Sequence, residues 1–129
     1  MRIIAISCLF AISFLVNVDA AISDTDVSVG ERLYTQCTGC HAPDYNRTGP
    51  KHCGILGWAA GAVKDFEYTD AMVRSGIIWI AESLDLFLTS PFDMVPGTSM
   101  GFVGISSVRA RQQLIAYLSQ LDGSNIQCK

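Results

Sequence analysis

Lysine is scarce in this chain. Lys51, Lys64 and Lys129 are all it has, and nine Lys and Arg together face twelve Asp and Glu for a net charge of −3. No stretch gathers these cations into a basic patch or stripe, which excludes a nucleic-acid binder. Strand patterning is missing too: no sustained run alternates apolar and polar residues, which argues against a sheet domain. No segment repeats, so a solenoid is excluded. At 129 residues the chain holds one domain at most.

Half of the residues, 50%, are hydrophobic, and the first twenty explain part of that excess. Met1 and Arg2 make a short basic start, Ile3 to Val16 is an almost unbroken apolar run, and Val18-Asp19-Ala20 is an exit of small residues. This is the pattern of a secretory signal peptide covering residues 1–20, with cleavage after Ala20. The apolar run is shorter than the roughly 20 residues a membrane span needs, which disfavours a retained anchor. Cys8 departs with the signal. Arg2 and Asp19 depart together, so the net charge stays at −3. The remaining chain of about 109 residues buries only a modest core by itself, and a large cofactor at its centre would help.

Residues 21–27 are small, polar and acidic and read as a flexible leader; 28–129 read as the single domain. Ser28 with Glu31 forms a capping box, so a helix is expected from Ser28 to about Thr38. The stretch 42–62, rich in Gly, Pro, Asn and Asp, reads as loop. A short helix or turn is expected over Asp65 to Arg74, ended by Gly76, and a second helix over Ala81 to Ser90, stopped by Pro91. Met94 to Ile105 reads as loop. Ser106 is expected to cap a last helix with Leu114, Leu118 and Leu121 on one face, closed by Gly123. The expectation is an all-α domain of three to four short helices and long loops, which need something to pack against.

Cys37-Thr38-Gly39-Cys40-His41 has the Cys-x-x-Cys-His spacing of a haem c attachment site. Each thiol adds across one haem vinyl group, and the next residue, His41, reaches the iron as proximal ligand. A bare Cys-x-x-Cys also suits a redox dithiol, a disulfide or half a zinc site. A thioredoxin-like site wants a strand before the motif, and here a helix is expected. A zinc site wants two more ligands, and adjacent His52 and Cys53 rarely both reach one metal. The second iron ligand could be Met72, Met94, Met100 or His52. Met100 lies in the glycine-bearing loop Pro96-Gly97-Thr98-Ser99-Met100, but Met94 is close by, so the residues alone leave the choice open.

From Val29 to Leu121 the chain resembles the class I cytochromes c, the group of mitochondrial cytochrome c and its bacterial monohaem relatives. The landmarks come in order: Gly30 and Tyr34; Cys37 to His41; Thr48-Gly49-Pro50; Gly54 and Gly57; Phe66 to Ala71; Gly76-Ile77-Ile78-Trp79; Pro96 to Met100 with Phe102 and Gly104; and Leu114 to Leu118. The resemblance implies the cytochrome c fold wrapped around one covalent haem, with Met100 as distal ligand. It implies that the Pro50 carbonyl accepts the other N–H of His41, and that Tyr68 and Trp79 hydrogen-bond a haem propionate. It also implies that Thr98 and Phe102 flank the methionine side, and that Gly30 and Tyr34 pack the first helix against the last. The chain departs from the family at Trp58, where mitochondrial members usually have Arg, at Met72, at Gly101 and at Ser99, often Lys in relatives. His52 is expected to be an exposed loop residue. Cys53 and Cys128, the two cysteines left over, are expected to form an intramolecular disulfide, since the family geometry brings that loop near the C-terminal tail.

His/Met ligation leaves no open iron position, so the expectation is an exported, periplasmic, monomeric electron carrier rather than an enzyme.

 Redox partner proteins are expected to dock transiently. With so few lysines, docking is expected to be more apolar or to use Arg74, Arg109 and Arg111. Two alternatives stay open: a dedicated cytochrome subunit of a periplasmic dehydrogenase, and a haem enzyme such as a peroxidase, which would need an open iron.

Overall fold

Ser23, not Ser28, starts the first helix. The computed structural model describes residues 23–129, and the expected signal segment 1–20, with Cys8, lies outside the described residues. Helix α1 spans Asp24–Tyr34. The extended backbone of Ser23 and its hydroxyl, which accepts from the Asp26 N–H, cap it, and Asp24 and Asp26 suit the positive end of the helix dipole. Ser28 is an interior residue whose hydroxyl donates to the Thr25 carbonyl. Asp24–Val27 therefore belong to the helix and not to a flexible leader. A polar, acidic stretch suits a loose leader and a first helical turn equally, which is why composition misplaced it.

The next elements are α2 (Asp70–Val73), α3 (Ala81–Thr89), α4 (Pro91–Met94), α5 (Val108–Gln120) and a 3-10 turn, Ile126–Cys128. The described residues hold five α-helical segments, against the expected three to four. The extra one is α4: Pro91 stops α3 and also serves as the first residue of a new turn, a position that its missing N–H and fixed φ favour. The Asp65–Arg74 expectation shrinks to one turn, capped by the Thr69 hydroxyl. Ser107 rather than Ser106 caps α5, by accepting from the Ala110 N–H. Helix α5 ends at Gln120, ahead of Gly123. The described residues contain no strand, only an isolated bridge between Ala59 and Ile78.

Helices α1 and α5 cross at Gly30. A Cβ there would lie 2.8 Å from the Tyr117 Cβ and overlap the Gln113 carbonyl, so only glycine allows this approach. One turn on, Tyr34 packs on Tyr117 with ring centroids 5.2 Å apart. Asp26 closes the crossing from the other end, accepting from Arg109 and Gln113. Helix α3 adds Leu84, Phe87 and Leu88 to the same core as Leu114, Leu118 and Leu121. The Cys53 and Cys128 sulfurs lie 1.94 Å apart with Cα atoms at 5.6 Å, and the Gly54 N–H donates to the Leu121 carbonyl, so the tail is held against the loop after Pro50.

Candidate functional site

The chain leaves α1 in successive tight turns. The Cys37 N–H donates to the Tyr34 carbonyl, and the Cys40 and His41 N–H groups both donate to the Cys37 carbonyl, at 3.0 and 2.9 Å. This curl puts Cys37, Cys40 and His41 on the wall of one cavity of about 300 Å³. The wall is largely apolar and carries no Asp or Glu. Burial pushes the Cys37 thiol up to about 11. Cys40 is exposed.

His41 is buried, and its Nδ1 lies 2.7 Å from the Pro50 carbonyl oxygen. A carbonyl has no proton, so Nδ1 donates and Nε2 keeps its lone pair for a ligand bond. Burial holds the imidazole pKa below its ordinary value, and the bond to Pro50 works the other way. The neutral ring is the form that binds a metal. Gly49 exists for this ring: a Cβ there would lie 2.7 Å from both imidazole nitrogens. Thr48-Gly49-Pro50 is a landmark in the sequence, but only the fold shows that its glycine makes room for His41.

Of the four possible distal ligands, Met72, Met100 and His52 line the cavity, and Met94 does not. Met100 arrives on the loop between α4 and α5, where the Thr98 hydroxyl accepts its N–H at 3.2 Å. Met72 is a buried core residue of α2. His52 is half-buried rather than exposed: its ring stacks on His41 with centroids 4.2 Å apart, and the Tyr34 hydroxyl lies 3.1 Å from its Nδ1. Burial, and then the neighbouring His41, push its pKa down to about 3. The surroundings that bury it come from α1 and the proximal turn, far from the sequence next to it.

Tyr68, Trp79 and Phe102 also line the cavity. Trp79 is buried against Phe87. Burial raises the Tyr68 pKa, and a backbone hydrogen bond from Val63 opposes it. Trp58 closes part of the wall and packs over Gly54, which has a φ of 77°. Among the described residues, no three His, Cys, Asp or Glu side chains converge to hold a metal ion. Two of the three arginines expected to meet partners are already paired within the protein, one buried and one at the surface. Arg111 is buried against Asp85, and Arg109 pairs with Asp26. Arg74 is exposed too, paired with Asp70.

The cavity fits a haem. It is largely apolar, lined by no Asp or Glu, and has two thiols, a neutral imidazole and the Met100 loop on its wall. No family model matches the chain. It is 40% identical over 108 residues to the cytochrome c-type cyt cy of Rhodobacter capsulatus, covering 82% of this chain but 54% of that protein, so it spans about half of that relative's length. It is 37% identical over 99 residues to a cytochrome c2 of Agrobacterium tumefaciens, covering 72% of this chain and 89% of that one. Among solved structures, cytochrome cH from Methylobacterium extorquens superposes with a TM-score of 0.72 at 36% identity, over 73% of this chain and 97% of the other. Likeness of this degree, over nearly the full length of the cytochrome c2 and the solved structure, joins the cavity and its thiols to one conclusion: the chain belongs to the class I c-type cytochromes, electron-transfer proteins built around a single covalent haem c.

Proposed function

We propose that the protein is an exported, periplasmic shuttle for single electrons, with its haem joined to Cys37 and Cys40 and its iron held by His41 and Met100. The observation that carries this reading is the shared cavity wall, where both thiols, Met100 and an imidazole with Nδ1 committed to Pro50 come together. Once bound, the haem iron supplies a one-electron couple; the chain keeps the geometry constant as the charge changes.

Each residue has a task in that reading. Pro50 fixes the His41 tautomer and ring orientation and raises its donor strength. Thr98 orients the backbone at Met100. Tyr68 and Trp79 offer polar tips to a propionate inside an otherwise apolar wall. His52 is disfavoured as the second ligand because its ring stacks on His41 and its Nδ1 meets the Tyr34 hydroxyl, so Met100 would hold the iron together with His41. A disulfide between Cys53 and Cys128 accounts for their geometry and suits an exported protein. The pattern over 1–20 supports export, and no helix of the described residues is long and apolar enough to cross a membrane. With both His41 and Met100 holding it, a bound haem would carry electrons rather than catalyse, and a monomer would meet its partners transiently.

The test is the visible spectrum of the full-length chain matured in a host that attaches haem c, wild type beside Met100→Ala. The expected result is a low-spin wild type with the weak far-red sulfur-to-iron band, which the variant loses. A high-spin wild type, or a band that survives the substitution, overturns the ligand assignment. Recovery of the haem protein in the cytoplasm, with residues 1–20 still attached, overturns the export reading.

A further inference from the structure

The loop that carries Met100 is weakly held along its middle. Residues 101–104 make no backbone hydrogen bond within the described residues, and Val103 is 90% exposed. Firm attachment begins at Ile105, whose N–H donates to the Leu88 carbonyl at 2.8 Å. Gly104, with a φ of 100°, packs so tightly on the Thr89 carbonyl that no Cβ fits. The strongest tether comes from Arg111. Its Nη1 donates to the carbonyls of Ile105 and Ser106, at 2.8 and 3.1 Å. Its Nε and Nη2 grip both carboxylate oxygens of Asp85 on α3, at 2.7 and 3.2 Å. The Arg111 side chain is only 7% exposed.

We propose that the Asp85–Arg111 pair is the latch of the Met100 loop, and that these two positioning residues set how often the methionine lets go of the iron. The inference rests on Met100 being the distal ligand. A planar guanidinium bound on two edges has one orientation, so Asp85 aims the remaining N–H groups at the loop carbonyls. The free stretch then stops at Gly104. Without the aim, the stretch lengthens into the α5 cap and Met100 has more conformations to leave for. The pair thus favours electron carriage over entry of outside molecules to the iron.

The test is the rate at which cyanide binds the ferric haem protein, which requires prior release of the methionine, together with amide exchange at residues 101–106. Asp85→Asn and Arg111→Lys keep near-native volume and remove the grip. Asp26→Asn loosens the α1–α5 contact away from the loop and serves as comparator, with thermal unfolding measured for all. Hydrogen bonds to charged groups are worth enough that losing one should speed cyanide binding about tenfold or more. Exchange at 101–106 should rise with it, while Asp26→Asn leaves both near wild type. The latch is overturned if Asp85→Asn leaves both unchanged, or if Asp26→Asn accelerates both in proportion to its loss of stability. A wild type without the sulfur-to-iron band would instead sink the ligand reading, and amide exchange would still decide the latch.

Discussion

Replacing Gly30 with alanine sets two effects of opposite sign against each other. In an exposed helix interior the change would stabilise by about 1 kcal/mol, because alanine restricts the unfolded chain and favours the helix. Here the new methyl would lie 2.7 Å from the Gln113 carbonyl carbon and 2.8 Å from the Tyr117 Cβ, and closer still to the Gln113 oxygen. Carbon atoms settle at about 3.5 Å or more, so α5 must retreat by at least about 0.8 Å, and further to clear the Gln113 oxygen. The obstacle is backbone and cannot rotate away. Overpacking of this kind costs about 1–3 kcal/mol, and a backbone clash belongs at the upper end. The net expectation is a loss of about 1–2 kcal/mol, or a Tm lower by about 4–12 °C for a domain of this size. Thermal and guanidinium unfolding of the haem-loaded protein, followed by far-ultraviolet circular dichroism, reads it. Gly123→Ala, with no atom within 4 Å, is the control and should stay within about 0.5 kcal/mol. A Gly30→Ala protein as stable as wild type, or more so, would refute the close helix contact.

Joint replacement of Cys53 and Cys128 by serine should lower stability by up to about 4 kcal/mol on the chain-entropy model, given their separation of 75 residues. Thiol titration of the unfolded haem protein should find no free thiol in wild type; two would remove the bridge. Asp26 has its pKa lowered by hydrogen bonds from Gln113 first, then Ser23, with Arg109 adding to them. A group whose folded pKa is depressed contributes stability above its unfolded value, near 3.8, and loses it as pH falls through the folded value. Wild type should therefore exceed Asp26→Asn in stability at neutral pH, with the gap closing below pH 3.8. A gap that persists in acid would show that Asp26 acts by packing and not by charge.

The site was legible where it is local. Two residues between Cys37 and Cys40, with His41 next, specify a turn whose three side chains share a cavity, and that needs no knowledge of the rest of the chain. The bond from His41 to the Pro50 carbonyl, implied by the family resemblance, stands in the structure at 2.7 Å. Helix boundaries were read with less success, because capping residues compete. Ser23 and Ser28, or Ser106 and Ser107, offer the same hydroxyl, and packing against the partner helix chooses between them. Helix α4 escaped notice because the proline that ends one helix is equally suited to begin another.

By itself, the sequence determined the helical class, the thioether-forming motif, and the small set of side chains able to reach an iron, because these depend on spacing along a few turns of chain. Tertiary structure alone decided which of Met72, Met94, Met100 and His52 face the cavity, and that His52 lies half-buried, stacked on His41 beside the Tyr34 hydroxyl. It also decided that Arg111 serves the inside of the protein and not a partner. Those outcomes depend on contacts between residues far apart in the chain, such as Asp85 with Arg111, 26 positions away, and Asp26 with Gln113, 87 positions away. No local pattern encodes such contacts; they exist only once α1, α3 and α5 have closed around a common core.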